Sequence, residues 1–170
     1  SAGEHRGVDR PVADLAHAVG ATVIVDNVFS TPIWSDAVAL GADVVVYSAT
    51  KHMDGQGRAL GGVILGSKEF IRKTVEPYLK HTGAALSPFS AWLMLKGLET
   101  MDLRVRAQTE SARSIADALA GDAGLARVIY PALETHPQHV LCLSQMGGKG
   151  GTVLSFDCGS QEAAFRVLNG

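Results

Sequence analysis

The sequence predicts an α/β protein built on a mostly parallel sheet with flanking helices. Two short runs, Ala21-Thr22-Val23-Ile24-Val25 and Asp43-Val44-Val45-Val46-Tyr47, have the β-branched density of buried strands. Before the first, Val12, Leu15, Ala16 and Val19 fall at helical spacing, and Gly20 supplies a stop. That alternation of helix and strand is the signature of a parallel sheet. The composition, 46% hydrophobic with 19 Gly, suits a globular chain of this kind and not a disordered one.

Further elements follow in order. Thr31-Pro32 to Leu40 reads as a loop and a short helix ended by Gly41. Gly62-Val63-Ile64-Leu65-Gly66 reads as a strand, and Lys68 to about Leu79 alternates charge and hydrophobe at helical period. Ser87-Pro88 opens a long helix, with Ser87 as N-cap and Pro88 where its missing N–H does no harm. Trp92, Leu93, Leu95, Leu98, Met101 and Leu103 give that helix, or a near-continuous pair, a wide apolar face to about Ala120. A boundary is expected near Gly121-Asp122. Beyond it, 126–130 and 152–156 read as strands and Gln161 to Leu168 as a helix. Residues 1–7 lack an apolar pattern and are expected to be disordered or an artificially added end.

Several functions are disfavoured. A net charge of −2 gives no reason to expect nucleic acid or an anionic membrane as partner. No apolar run approaches the ~20 residues needed to span a bilayer. Cys142 and Cys158 lack metal-type spacing and read as reduced thiols. His136 and His139 are spaced as in some metal sites, but Pro137 discourages a helix and no third ligand is near, so no metal is expected. Gly147 to Thr152 lacks the spacing of a phosphate loop and reads as a hinge or hairpin.

The chemistry concentrates at two strand ends. Asp26 closes the first strand, and Ser48-Ala49-Thr50-Lys51 follows the second. Parallel strands deliver these groups to one sheet edge, where open α/β sheets bind ligands. Taken singly, Asp26 is a turn former, Ser48 and Thr50 are capping residues and Lys51 is a solvated lysine. Together, an amine, a carboxylate and two hydroxyls suit pyridoxal phosphate: Lys51 to bond it, Asp26 for the pyridinium nitrogen, Ser48 and Thr50 for the phosphate.

These segments resemble the Cys/Met-metabolism family of pyridoxal-phosphate enzymes. The resemblance runs from about Val12 to the last residue, through Val25-Asp26-Asn27, Thr31-Pro32, Ser48 to Lys51, Gly61-Gly62, Ser87-Pro88-Phe89, Lys96 to Thr100 and His136 to His139. It implies the central part of the large cofactor-binding domain over 8–121, partial at its start. It also implies a truncated beginning of a smaller α+β C-terminal domain over 122–170, and an antiparallel strand at Gly62–Gly66. The Asp54-Gly55-Gln56-Gly57-Arg58 stretch is similar to the O-succinylhomoserine sulfhydrylase branch. It implies γ-replacement with sulfide giving homocysteine, with Arg58 at the mouth favouring an anionic succinyl group or serving as a surface Arg beside a turn. Cystathionine γ-synthase, γ-lyase or a non-catalytic structural fragment are the alternatives.

The resemblance further implies a small amino-acid substrate, a cytoplasmic enzyme and a homotetramer built as a dimer of dimers. His52, Val28 and Ser30 depart from the family's usual residues. Segments that stack on the cofactor ring, and the Arg that takes the substrate carboxylate, are expected outside this chain. The chain therefore reads as the middle of a longer enzyme, inactive by itself.

Overall fold

A computed structural model describes residues 11–169, so the expected disordered or added end over 1–7 lies outside the described residues. The chain divides into two compact units, Ser1–Arg104 and Val105–Gly170. The division falls inside helix α6 (Met101–Leu119), whereas Gly121-Asp122 forms the turn after that helix.

In the first unit, α1 (Pro11–Ala18) leads to β1 (Ile24–Asp26), α2 (Thr31–Trp34) and β2 (Val44–Ser48). A wide π-type turn over Ala49–Met53 follows, then β3 (Gly62–Gly66). The sheet has the order β1-β2-β3, with β1 parallel and β3 antiparallel to β2. The antiparallel third strand agrees with the family-based expectation. Among the described residues the parallel character is confined to the β1–β2 pair. β1 is shorter than the sequence suggests: Val23 accepts the Asp43 and Val44 amides through its carbonyl, at 2.9 and 3.1 Å, and the paired ladder starts only at Ile24.

β2 is the buried strand. Val44, Val45 and Tyr47 are inaccessible or nearly so, and Ala37, Ala42, Val25 and Val63 pack around them. Burial of a side chain such as Val45 is worth roughly 1.5–3 kcal/mol, so this strand anchors the unit. After β3 the chain forms one helical stretch in three parts: α3 (Lys68–Phe70), a π-type segment (Ile71–Val75) and α4 (Glu76–Thr82). Gly83, at φ 75°, caps it.

α5 (Pro88–Leu98) begins as the sequence predicts. The Ser87 hydroxyl accepts the Ser90 amide at 3.1 Å, with Pro88 in the first turn. α5 and α6 form the near-continuous pair, broken at Glu99-Thr100. The wide apolar face is not buried as expected: Trp92, Leu95, Leu98 and Leu103 are exposed. The contact stripe is instead Met94, Gly97 and Met101. Gly97 explains the choice, because a Cβ there would collide with the backbone of Met53 and Asp54. Only a bare backbone lets the helix lie that close to the turn after Lys51.

In the second unit, α6 continues to Leu119 and is followed by β4 (Arg127–Ile129), α7 (His139–Met146), β5 (Ser155–Asp157) and α8 (Gln161–Asn169). β4 and β5 pair antiparallel. α7 is a correction to the sequence reading. Pro137 precedes the helix, where it breaks no helical bond, and Cys142 is buried on the inner face. β5 starts three residues later than expected. Tyr130 is fully buried at the centre of this core, its hydroxyl donating to the Gly151 carbonyl at 2.9 Å. Both cysteines are free; Cys142 lies in the core and Cys158 is half-buried.

Gly97→Ala is expected to destabilise the protein by about 1–3 kcal/mol, the range of overpacking a close contact. Urea denaturation checks this, and an unchanged midpoint would show that the helix can move aside without cost. Tyr130→Phe strands the buried Gly151 carbonyl and is expected to cost about 1–3 kcal/mol by the same measurement.

Candidate functional site

The site grows from the β1–β2 pairing. Asp26 stands opposite Val46, and the Asn27 amide extends the ladder by donating to the Val46 carbonyl at 3.0 Å. Asp26 therefore ends beside the last residues of β2, and Ser48, Thr50 and Lys51 follow at the same carboxyl edge. The structure thus brings together four of the residues expected from sequence.

Asp26 is exposed and its Oδ1 accepts the Val28 amide at 3.1 Å, which orients the carboxylate. Behind it, Asn27 is buried and was given no role by sequence reasoning. Its side-chain amide donates to the Tyr47 hydroxyl at 3.0 Å, the Ser35 carbonyl at 3.0 Å and the Thr31 carbonyl at 3.3 Å. Asn27 therefore ties the loop after β1 to β2 and α2. The same loop holds Thr31 at φ 60°, a left-handed conformation costly for a β-branched residue, of order ~1–3 kcal/mol. Thr31 stays there because it is bonded on all sides. Its amide donates to the Asn27 carbonyl at 2.9 Å and its hydroxyl accepts the Ile33 amide at 3.2 Å.

Lys51 occupies the one non-helical position in its turn, at φ −82° and ψ −110°, and is exposed. The loop it opens is pinned at its base. The Ala49 amide donates to the Gly61 carbonyl at 2.9 Å, and the Thr50 hydroxyl accepts the Gly61 amide at 3.1 Å. Ser48 is partly buried at the end of β2.

Arg104 is the second residue the sequence gave no signal for. Its Nη2 donates to the His52 carbonyl at 2.9 Å and the Gly97 carbonyl at 2.8 Å, and its Nε to the Thr100 hydroxyl at 3.0 Å. The guanidinium fills the space where Gly55 would carry a Cβ. One side chain thus fastens the residue after Lys51 to the end of α5.

Arg58 lies on the same loop as Lys51, folded back on Asp54: its Nε meets Asp54 Oδ1 at 3.0 Å. Asp54 is almost wholly buried. Its carboxyl is held below the ordinary range chiefly by the Arg58 amide, with burial opposing and the Arg58 side chain and Gln56 amide assisting. His52 is likewise lowered, below a typical histidine. Burial lowers its pKa most, the Arg104 charge adds to this, and a bond with the Val28 backbone opposes it.

An exposed amine, an oriented carboxylate and two hydroxyls at one sheet edge form a donor set that fits pyridoxal phosphate. The family model of the Cys/Met metabolism PLP-dependent enzymes matches residues 8–170. The chain belongs to this family. Its cofactor is pyridoxal phosphate, as the sequence reading expected. O-succinylhomoserine sulfhydrylase of Mycobacterium tuberculosis is 51% identical over 163 residues, covering 93% of this chain and 40% of the relative. O-succinylhomoserine sulfhydrylase of Pseudomonas aeruginosa is 47% identical over 159 residues, covering 93% and 39%. Among solved structures, cystathionine gamma synthase of Xanthomonas oryzae pv. oryzae superposes with a TM-score of 0.87 at 36% identity, covering 92% of this chain and 40% of that one. The chain therefore spans about 40% of the length of the curated relatives it matches. No helix among the described residues is long and apolar enough to cross a membrane.

A pH dependence follows from His52. Its folded pKa lies below the ordinary 6.5, so below that pH the unfolded chain takes up a proton that the folded one resists. Stability is therefore expected to fall as pH drops from about 6.5 towards the lowered value. His52→Phe, followed by thermal denaturation across that range, should flatten the fall; matching profiles for both proteins exclude His52 as its source.

Proposed function

We propose that this chain is part of an O-succinylhomoserine sulfhydrylase, which exchanges the γ-succinyloxy group of its amino-acid substrate for sulfide and releases homocysteine and succinate. The observation that carries the reading is the loop from Lys51 to Gly61. It presents the Asp54-Gly55-Gln56-Gly57-Arg58 sequence directly after the amine, in a chain 51% and 47% identical to two proteins of that name.

Pyridoxal phosphate, when bound, supplies an electron sink for charge developing at the substrate α-carbon. Lys51 would bond the cofactor, and its amine would move protons at the substrate Cα and Cβ, a general-base role for a positioned amine. Asp26 would keep the proton on the pyridine nitrogen. Ser48 and Thr50 donate to phosphate oxygens; the long Thr50 contact to the Gly61 carbonyl, 3.4 Å, leaves its proton free to turn. Arg58 binds the succinyl carboxylate. The same reading places residues 8–121 in the cofactor-binding domain and 122–170 at the start of the C-terminal one, within a cytoplasmic homotetramer of the full-length chain. A cystathionine γ-synthase uses the same residues with cysteine as acceptor, and the 36% identity to the Xanthomonas oryzae enzyme favours it as the second reading.

The deciding experiment supplies the purified full-length enzyme with O-succinylhomoserine and either sulfide or cysteine. Homocysteine formed in preference to cystathionine supports the sulfhydrylase; the reverse preference selects the synthase. Borohydride reduction and peptide mapping should put the pyridoxyl mass on Lys51, and a label on Lys68 or Lys73 would refute that role. Asp26→Asn is expected to retain cofactor but lose turnover by about a hundredfold or more, the scale of a lost electrostatic contact in a transition state. Near-normal turnover would remove Asp26 as the ring partner.

A further inference from the structure

We propose that Asp54 is a positioning residue that sets acyl-group selectivity by holding Arg58 with one edge of its guanidinium free for a carboxylate. This inference rests on the reading of Arg58 as the group that binds the succinyl carboxylate.

The geometry is that of a built device. Asp54 is 1% exposed, and a carboxylate so placed must be fully engaged. Its Oδ2 accepts the Arg58 amide at 2.7 Å and the Gln56 amide at 3.3 Å, while Oδ1 accepts Arg58 Nε at 3.0 Å. Arg58 Nη2 also donates to the Asp54 carbonyl at 3.1 Å. Both the main chain and the side chain of Arg58 are thus fixed by one residue.

The loop has the glycines this requires. Gly55 and Gly57 sit at φ 72° and 68°, which lets the chain turn back so that residue 58 meets residue 54. Their placement on either side of Gln56 explains the alternating pattern of the sequence.

Asp54 uses the Nε side of the guanidinium. The Nη1 group and the outer Nη2 hydrogen are not engaged by Asp54, and the Arg58 side chain is 34% exposed. That outer edge is the fork that receives a carboxylate through two parallel bonds. Fixing the side chain beforehand removes much of the entropy cost of binding with a long, flexible residue. Lys51 lies at the start of the same loop, and the Gly55 amide donates to its carbonyl at 2.7 Å. The fork and the amine therefore stand on one pinned segment.

The test uses the full-length, cofactor-loaded enzyme with O-succinylhomoserine and O-acetylhomoserine, which differ in the terminal carboxylate. Arg58→Gln is expected to raise KM for the succinyl ester by about tenfold to a hundredfold more than KM for the acetyl ester, as for one lost charge-assisted pair. Asp54→Asn is expected to shift KM in the same direction on the succinyl ester alone. The double variant should lose no more selectivity between the two esters than Arg58→Gln, because Asp54 acts on the acyl group through the Arg58 side chain. Equal losses on both esters in Asp54→Asn, or additive losses in the double variant, would overturn the inference.

If Arg58→Gln does not discriminate between the esters, the reading of Arg58 fails, and the inference with it. If it does while Asp54→Asn behaves as wild type, only the role of Asp54 fails. Should Asp54→Asn not fold, Arg58→Lys provides the test. An ammonium cannot engage Asp54 and a second carboxylate in the same way, so the succinyl KM should rise; unchanged selectivity overturns the proposal. If the wild-type enzyme uses neither ester, the same variants are compared by calorimetric titration with succinate and acetate. Selective weakening of succinate in both Asp54→Asn and Arg58→Gln then supports the inference, and unchanged succinate binding in Asp54→Asn overturns it.

Discussion

The parallel pairing of β1 with β2 is the constraint on which the rest of the site depends. It is a short ladder, Ile24 to Asp26 against Val44 to Val46, prolonged by the Asn27 amide. So few backbone bonds hold only because β2 is buried and because the Asn27 side chain bonds three separate groups around it. The buried amide cannot be removed without taking a partner from the Tyr47 hydroxyl and the Ser35 carbonyl, and unpaired buried groups are costly. The strained Thr31 is a consequence of the same arrangement. Its left-handed backbone lets the loop turn sharply from Asp26 into α2.

After β2 the problem is to hold Lys51 at the break in a short π-type turn. Three devices solve it at different levels. Thr50 and Ala49 close the base of the loop on Gly61. Arg104 clamps the His52 carbonyl to the end of α5. Gly97 allows the helix backbone to press on Met53 and Asp54. A loop stabilised in this way holds the Lys51 amine on a fixed support, and positional precision of this kind is what the proposed covalent chemistry needs.

On the proposed reading, cofactor chemistry and acyl recognition fall on different parts of the site. Lys51, Ser48 and Asp26 belong to strand ends, whose positions are fixed by the sheet. Asp54 and Arg58 belong to the loop tip, where glycines and one buried ion pair set the shape. A change at the tip can alter what is recognised without disturbing the strand ends. This division fits a family in which synthases, lyases and sulfhydrylases share a fold and cofactor.

Much of this was legible in the chain itself. The run from Val44 to Tyr47, the Ser87-Pro88 helix start and the conjunction of Asp26 with Ser48, Thr50 and Lys51 are local patterns: β-branched density, a cap, polar groups at strand ends. Local physics is enough to specify them. The helix from His139 was missed because Pro137 was weighed as a breaker within a helix, when it stands just before one. The apolar face of α5 was legible, and in this chain much of it is exposed, because an apolar face says only that some partner is wanted. Which stripe is covered depended on Gly97 and on the loop that meets it. Asn27 and Asp54 lie in segments that carry the family resemblance, but neither they nor Arg104 show in sequence what they bond, since an Asn, an Arg or an Asp is ordinarily a solvated residue. Their roles come from acceptors up to 52 positions away, such as the His52 carbonyl at Arg104. Sequence by itself determined the chemical groups and the strands that carry them. Only the tertiary structure decided how those groups are held, because hydrogen bonds between distant residues exist only after the chain has folded.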